Sequence, residues 1–539
     1  MGFHTKLYLA LSMAGYSDAF FRMACPGRVV RDRVDPIVNP GKVATHVHTV
    51  SGGSGFKANM TFADARASKC SSCEIKEDMS NYWTPTLYVH MKDDTFKPVP
   101  VAGDPDDVQG GMTVYYIQRP DPPAEKLKAY PEGFRMLAGD TNKRSAGAND
   151  LATKAISFTC IGSNKAETNN IPDYKCPGGL RAQVFFPNCW NGKDVNSPDH
   201  KSHMSYPNSH TYDTGPCPAD FPVHMISVFY EILYDTPLFD DQWDGDKHPF
   251  VFANGDPTGY SLHGDFLNGW DIKVFQNAVD TCKADSGNVG ECAAVTMYQK
   301  EENWQCRMST SIKEETGGTL KKLPGCNPVT NGPDPAPSGP CDDGVTFGPN
   351  PPNYVDLTQS KKWEYAGCGS GGENGERAFK NGTTESDSMT VQKCVEFCDA
   401  TGMPYAGVEN HKECFCADKL NPQFAPKDGI MGRCFFKCAG DSAQTCGGYG
   451  ALSIYHKCED DKQCKNVDLY KPAASPMVAG SSGTLESERK DSVLDSEPSD
   501  TKTPAVFSPN SPSARRSSSG LTRAMQTKMA RRRVRQTWT

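Results

Sequence analysis

The number and spacing of the cysteines constrain this chain more than any other feature. Its 539 residues include 22 cysteines, and a reducing cytosol would keep so many side chains as thiols. This density is typical of a disulfide framework that forms in an oxidising compartment. Two glycosylation sequons, at Asn59 and Asn381, indicate the same compartment. We therefore expect a secreted, extracellular glycoprotein.

The first 19 residues are similar to a signal peptide. A short apolar run at 7–14 follows Lys6, and small residues at 17–19 offer a cleavage site. The alternative is a misassigned start of translation, with the true leader upstream or missing. No later segment has the roughly 20 apolar residues that a transmembrane helix needs. The net charge of -8 argues against a nucleic-acid partner, because a phosphate-binding face must be basic.

Residues 20–326 are predicted to form one large domain. Short β-branched and aromatic segments lie between clusters of Gly, Pro and Asn, which favours strands. The predicted strands are 112–118, 182–186 and 250–253. Residues 223–234 fit a strand or a helix, and apolar residues at helical spacing predict a helix over 275–283. The predicted fold class is α+β, with a β-rich large domain.

Two shifts in composition mark further boundaries. Residues 327–360 are rich in Pro, Gly and Asp, which predicts an extended and solvated linker. Residues 470–539 consist largely of Ser, Pro, Thr and scattered charges. Such a segment cannot bury enough apolar surface to offset the entropy cost of ordering. We therefore expect a disordered, low-complexity tail whose basic cluster at 530–535 is solvated.

Residues 361–458 carry a compact cysteine pattern. Two C-x3-C pairs lie on either side of a C-x-C pair, and this spacing places Cys394 and Cys398 on one face of a helix. So small a core needs covalent links, which predicts disulfides among all eight cysteines. These are Cys368, Cys394, Cys398, Cys414, Cys416, Cys434, Cys438 and Cys446. The competing interpretation is zinc binding, which the oxidising context disfavours.

Together with Y-A-G-V-E at 405–409 and C-G-G at 446–448, this pattern resembles a WSC domain over its whole length. The resemblance implies binding to a polysaccharide of fungal-wall or plant origin. Aromatic faces would stack on the sugar rings, although an aromatic residue in so small a fold is often part of the core. The candidate platforms are Trp363, Tyr365, Tyr405, Phe415 and Tyr455. Membrane stress sensors of this kind need a membrane span and a long stalk, so a sensor role is disfavoured.

Most of the 12 histidines lie in the large domain, in segments flanked by Gly, Pro and aromatic residues. H-x-H occurs at 46–48, D-H-x-x-H at 199–203 and H-G-D-F-L-N-G-W-D at 263–271. With D-P-I-V-N-P-G at 35–41 and Y-W-T-P at 82–85, these segments resemble domain of unknown function nineteen-ninety-six over about 34–282. That resemblance implies no settled activity, so the chemistry has to come from the residues.

We predict that the histidine motifs meet in one cleft. The residues expected there are His46, His48, His200, His203, His263 and Asp265, with Asp199 as a further catalytic candidate. On a strand, His46 and His48 point to the same side, so they and His263 are candidate ligands of a divalent metal. The pattern does not select which metal.

Three other interpretations of these residues stay open. A pair of carboxylates can hydrolyse a glycosidic bond, one as acid and one as nucleophile or base. The carboxylates considered are Asp199, Glu231, Asp256 and Asp265. The same side chains can also form a satisfied hydrogen-bond network that holds loops together, or they can line a cleft that binds a ligand without catalysis.

Two classes of function therefore stay open. In the first, the chain is a secreted polysaccharide- or cell-wall-binding protein whose WSC module brings the large domain to carbohydrate. In the second, it is a carbohydrate-active enzyme, hydrolytic or metal-dependent, with a His/Asp site in the large domain. The sequence does not decide whether the chain is an enzyme.

Overall fold

A computed structural model describes most of the chain. The described residues are 19–101, 111–147, 150–208, 210–298, 300–336, 342–348, 353–373, 376–459 and 463–469. The predicted tail and all of the predicted signal peptide except Ala19 lie outside them. The chain divides into two units, Met1–Ser475 and Pro476–Thr539, and the second lies outside the described residues.

The described chain is β-rich and has few helices. In the large domain (residues 20–326), the strands are β1 (Phe20–Cys25), β2 (Val30–Val34), β3 (Val43–Gly52), β4 (Asn81–Pro85), β5 (Leu87–His90), β6 (Phe96–Pro98), β7 (Met112–Ile117), β8 (Arg135–Gly139), β9 (Ile156–Cys160), β10 (Leu180–Phe185), β11 (Cys189–Trp190), β12 (Met204–Ser205), β13 (Val223–His224), β14 (Ser227–Tyr234), β15 (Phe250–Phe252) and β16 (His263–Leu267). The helices of this domain are α1 (Phe62–Arg66), α2 (Leu151–Lys154), α3 (Ile272–Thr281) and α4 (Lys300–Trp304).

The C-terminal module (residues 361–458) is a second β-rich region. Its strands are β17 (Trp363–Ser370), β18 (Gly372–Glu373), β19 (Glu376–Arg377), β20 (Thr383–Glu385), β21 (Tyr405–Glu409), β22 (Glu413–Ala417), β23 (Lys437–Cys438), β24 (Asp441–Thr445) and β25 (Ala451–Lys457), and its helix is α5 (Val391–Ala400). Nowhere in the described ranges is a helix both long enough and apolar enough to cross a membrane.

The strands and the helix predicted in the large domain fall on observed elements. The three predicted strands correspond to β7, β10 and β15, and residues 223–234 form β13 and β14. The predicted helix is α3. It begins earlier than predicted because the Asp271 side chain caps it, accepting hydrogen bonds from the backbone N–H groups of Lys273 and Val274.

Two five-stranded antiparallel sheets pack against each other in the large domain. The order of the first is β1-β7-β14-β10-β9 and that of the second is β2-β3-β4-β16-β8. Aromatic residues fill the space between them: the ring of Tyr230 on β14 lies 5.8 Å from that of Tyr82 on β4 and 4.7 Å from that of Phe186. Successive side chains of a strand point to opposite faces of the sheet. The face of the second sheet that points away from the first sheet therefore carries a different set of side chains, which pack against loops.

A buried polar network lies in the core next to these aromatic rings. The Tyr82 hydroxyl donates a hydrogen bond to the Asp78 carboxylate, and it lies 2.8 Å from the Tyr116 hydroxyl. The indole N–H of Trp270 donates to the Tyr116 hydroxyl at 2.8 Å. Burial raises the pKa of Asp78 to about 6, because the low-dielectric core disfavours the charged carboxylate.

In the module, disulfides clamp helix α5 to strand β22. Cys394 and Cys398 lie one turn apart on α5, and they bond to Cys414 and Cys416, which are two residues apart on β22. Four helical residues rise about 6.0 Å and two strand residues about 6.6 Å, so the two spacings match. Disulfides Cys368–Cys434 and Cys438–Cys446 complete the set of eight predicted cysteines.

The module packs against the end of the large domain. The Gln305 side-chain oxygen accepts a hydrogen bond from the backbone N–H of Arg433 at 3.0 Å, and the Arg307 carbonyl accepts one from Met431 at 2.8 Å. Ile430 belongs to an apolar cluster of the large domain. No disulfide between described cysteines joins the large domain to the module, and the contacts above are non-covalent.

The linker is not a solvated segment as predicted: its described residues up to 348 lie against the large domain, and Tyr354 and Leu357 pack on the core of the module. The backbone N–H of Thr330 donates to the carbonyl of Gly255 at 3.0 Å. Further along, the Asp343 carboxylate pairs with the buried Arg33 guanidinium at 2.5 Å. Backbone and ionic contacts of this kind hold the segment in place.

The Asp78 network predicts a specific pH dependence of stability. The folded pKa of Asp78 lies above the unfolded value of about 3.9, so the stability that this carboxyl contributes is present below about pH 4 and is lost as the pH rises through about 6. The loss is about 3 kcal/mol. Asp78→Asn keeps the shape without the titration, so it should flatten the curve of unfolding free energy between about pH 4 and 7, measured by denaturant titration. Equal slopes in the two proteins would contradict this assignment.

The contacts between the module and the large domain predict that the two stay associated after the linker is cut. Limited proteolysis within 327–360 should yield two fragments that co-elute in size-exclusion chromatography. Gln305→Ala removes a hydrogen-bond acceptor at the contact and should promote their separation. Gln242→Ala, far along the chain in the large domain, is the control. Separate elution of the wild-type fragments without denaturant would show that the contact is too weak to hold them.

Candidate functional site

The second sheet places four of the predicted site residues on one of its faces. His46 and His48 point the same way on β3, as do His263 and Asp265 on β16, because the side-chain period of a strand is two. The intervening Gly264 points to the opposite face, where a Cβ atom would come within 2.8 Å of a core phenylalanine ring. The four polar side chains therefore lie on the face that points away from the first sheet.

Strand β4 lies between β3 and β16, and it ends at Pro85. His48 pairs with Pro85 in the register of β3 and β4, and Asp265 pairs with Trp83 in the register of β16 and β4. The next position on the same face of β16 is His263. Strands β3 and β16 are both neighbours of β4, so they lie about 10 Å apart. The imidazoles of His48 and His263 can therefore meet over the ring of Pro85.

The three imidazole rings converge. The Nε2 atoms of His46 and His263 are 3.2 Å apart, and the ring centroids of His48 lie 4.3 Å from His46 and 5.9 Å from His263. One nitrogen of each ring lies within 4.8 Å of the other two. An oxygen of Asp265 lies 3.9 Å from Nε2 of His263. We call these four residues the histidine cluster.

Backbone carbonyls determine which nitrogen of two rings carries the proton. Nδ1 of His48 donates to the carbonyl of Val34 at 3.3 Å, and Nδ1 of His263 donates to that of Ser261 at 2.9 Å. Because a carbonyl can only accept, the proton of each neutral ring is on Nδ1, and each Nε2 carries a lone pair. Histidines that bind metals are oriented in this way by a hydrogen bond at the other nitrogen.

Several polar atoms of the histidine cluster are buried without a hydrogen-bond partner. They are Nε2 of His48 and both carboxyl oxygens of Asp265. Burial lowers the pKa of His48 and of His263 to about 3 and that of His46 well below its usual value, so the rings are neutral. Burial, and then the nearby Asp35 carboxylate, raises the pKa of Asp265 well above its usual value.

The other predicted histidines lie outside the histidine cluster. His203 is buried, and its Nε2 donates to the carbonyl of Arg135 on the edge strand β8 at 2.9 Å. His200 is partly exposed, and its Nδ1 lies 2.8 Å from the side-chain oxygen of Asn196. The prediction that all six residues share one cleft therefore fails for these two, because a loop holds them against the sheet edge.

Two of the carboxylates considered for hydrolysis are buried and bonded. Asp256 accepts hydrogen bonds from the N–H and hydroxyl of Ser261 at 2.8 and 2.7 Å and lies 3.7 Å from Arg144. Glu231 accepts from the hydroxyl of Tyr115 at 2.6 Å. A glycosidase needs both carboxyl groups at the scissile bond, so these two side chains are better explained as structural.

Asp199 is exposed and belongs to a different feature. It lines a cavity of about 440 Å³ beside β8, and Asp140, Lys201 and Tyr260 also line it. The three clustered histidines are not among the residues that line this cavity. The single predicted cleft thus consists of two features, a surface cavity and the buried histidine cluster.

Three of the five predicted aromatic platforms in the module are core residues. Trp363 and Tyr365 are 1% exposed, and Tyr455 is fully buried. Tyr365 and Tyr455 pack ring against ring at 5.2 Å. The prediction that these side chains stack on sugars is wrong, because they fill the interior of the module beneath the β17 and β25 strands.

The other two predicted platforms are partly exposed, and each has one face covered. Tyr405 stacks on His456 with ring centroids 4.4 Å apart. The guanidinium of Arg377 lies 4.2 Å from the ring of Phe415. Only part of each ring is therefore open to a ligand.

The most exposed aromatic side chain of the module, Tyr449, is not among the predicted platforms. Tyr449 is 70% exposed, more than any other large apolar side chain in the described ranges. It lies between Gly448 and Gly450, directly after the C-G-G motif. Its position between two glycines in a turn is the sequence signal that indicates exposure, since side chains in surface turns seldom reach the core.

These features define a β-rich, disulfide-bonded protein. A large domain of two packed sheets is followed in the chain by a small module that disulfides hold together. Residues 365–448 match the WSC domain family. Residues 35–270 match the family described as Domain of unknown function (DUF1996). The chain thus contains a DUF1996 domain followed by a WSC domain, as its motifs predicted.

Curated relatives share a short segment with this chain. A WSC domain-containing protein of Arthroderma benhamiae is 36% identical over 95 residues, which are 18% of this chain and 10% of the relative. Protein SLG1 of Saccharomyces cerevisiae is 31% identical over 102 residues, 18% of this chain and 24% of the relative. Xylosyltransferase oxt of Drosophila melanogaster is 37% identical over 73 residues, 14% of this chain and 8% of the relative. The matches therefore span a quarter or less of these proteins.

Proposed function

We propose that this chain is a secreted protein that binds a polysaccharide, in a fungal wall or a plant glycan, through its C-terminal module. The WSC match is the observation that carries this proposal. The disulfides of the described chain are typical of an oxidising compartment. The sequon residues Asn59 and Asn381 are exposed and so are accessible to glycosylation.

Tyr449 is the side chain that we expect to stack on a sugar ring. It has no aromatic stacking partner among the residues that the structure describes, whereas Tyr405 and Phe415 each have one face covered. The disulfide Cys438–Cys446 ends just before its turn. The backbone of the turn is closed by hydrogen bonds between Gly448 and Ala451, so its ordering adds little to the entropy cost of binding.

A second candidate function is carbohydrate-active enzyme, which the cavity beside β8 favours. Asp140, Asp199 and Lys201 are among the residues that line it, so charged groups of both signs lie at the cavity. In this arrangement the module holds an insoluble substrate while the cavity acts on it.

The binding role predicts a loss of affinity in Tyr449→Ala. Stacking of an aromatic face contributes about 0.5–1.5 kcal/mol, so the dissociation constant for the bound polysaccharide should rise about two- to tenfold. The measurement is depletion of the protein by insoluble β-glucan, chitin and xylan. Leu238→Ala, which removes an exposed apolar side chain from the large domain, is the matched control. Equal binding by the wild type and Tyr449→Ala would exclude Tyr449 as the platform.

The enzymatic role predicts release of soluble sugars from the same polysaccharides. If the cavity is catalytic, the wild type should release products and Asp199→Asn should release far fewer, while both proteins bind the polysaccharide equally. Chromatography of the supernatant, with and without added divalent metal, measures this. Absence of products under every condition would leave binding as the function.

A further inference from the structure

We propose that the histidine cluster binds one divalent transition-metal ion, with His46, His48 and His263 as nitrogen ligands and Asp265 as the fourth ligand. This site lies in the large domain and does not depend on the proposed polysaccharide binding. Its geometry, its unpartnered atoms and its burial each support the proposal.

The spacing of the nitrogens fits a tetrahedral ion. Nitrogens at about 2.0–2.1 Å from one ion, and 3.2 Å from each other as in His46 and His263, subtend an angle of about 100°. The Asp265 oxygen lies 3.9 Å from Nε2 of His263. It is not within 4.8 Å of all three imidazole nitrogens, so its side chain has to turn towards the ion to become the fourth ligand.

The donor set selects the class of metal. Neutral imidazole suits zinc, copper, nickel and iron, whereas calcium and magnesium prefer oxygen ligands. Two of the three rings are already held in the tautomer that a metal requires, by the carbonyls of Val34 and Ser261. The proposed ion is therefore a first-row transition metal.

A hydrogen-bond network without metal explains the cluster less well. In such a network Nε2–H of His46 donates to Nε2 of His263, and the hydroxyl of Thr45, 3.1 Å from Nδ1 of His46, completes that ring. Nε2 of His48 and both oxygens of Asp265 still have no donor. Each buried acceptor that lacks a partner costs about 1–3 kcal/mol. A cation at the centre provides a partner for the free lone pairs.

The burial of the cluster indicates a structural ion. His46 is 5% exposed, and His48, His263 and Asp265 are at most 1% exposed. Catalytic zinc sites keep one position open to water or substrate, whereas structural sites have four protein ligands. An ion here would link β3 to β16 beyond the end of β4, and it should stabilise the folded state.

The test uses the full-length protein, stripped with a chelator and then titrated with Zn²⁺ and with Co²⁺. We expect one tightly bound ion per chain by elemental analysis, a visible Co²⁺ spectrum typical of tetrahedral coordination, and a higher melting temperature in the presence of Zn²⁺. His48→Gln and His263→Gln should each weaken binding at least about 100-fold, more than the loss of a ligand's hydrogen-bond partner usually does. His203→Gln, a buried histidine outside the cluster, should keep the ion.

Each outcome decides the proposal. Loss of the ion in His48→Gln and His263→Gln with its retention in His203→Gln supports it. A stripped wild type that takes up no Zn²⁺ or Co²⁺ overturns it, as does a His263→Gln variant that binds as tightly as the wild type. If the ligand variants do not fold, the wild-type Co²⁺ spectrum decides: tetrahedral absorption supports the site, and its absence overturns it. Since none of these measurements involves polysaccharide, failure here leaves the proposed function untouched.

Discussion

The register of β3, β4 and β16 is the constraint on which both the core and the histidine cluster depend. Tyr82 and Phe266 point into the core, where their rings stack at 5.7 Å, and the hydroxyl of Tyr230 donates to the carbonyl of Asp265 at 2.7 Å. A slip by one residue would turn these aromatic rings to the opposite face and the histidines into the core. Hydrophobic packing on one face of the sheet thus determines which polar groups meet on the other.

Strand β4 ends at Pro85, next to the histidine cluster. A proline cannot donate a ladder hydrogen bond and is rarely found inside a central strand, and here it ends β4 beside His48 of the longer strand β3 and level with His263, the first residue of β16. Beyond it, His46 and His263 approach each other without a strand between them. The result is a group of neutral rings and an unpaired carboxyl in the interior, an arrangement that is costly unless a further partner binds.

The interior of the module consists largely of disulfides and aromatic rings. Disulfides tie α5 to β22, and the aromatic residues Trp363, Tyr365 and Tyr455 complete a core that is too small to be stable from apolar burial alone. Few large side chains are left for the surface, so the exposed ring of Tyr449 is conspicuous. Because the module also packs on the large domain through Gln305 and Ile430, a polysaccharide held by the module would lie at a defined position relative to that domain.

Local features of this protein could be predicted from its sequence, because they depend on neighbours in the chain. The cysteine spacing indicated the stapled module, apolar spacing indicated helix α3, and residue composition indicated the three strands β7, β10 and β15. Alternation placed His46 and His48 on the same side of β3. Only the tertiary structure decided that His263 joins them while His203 bonds to an edge strand, that Trp363 is buried while Tyr449 is exposed, and that the module docks on the large domain. These outcomes depend on strand register and on packing between segments far apart in the chain, where sequence spacing carries no distance information.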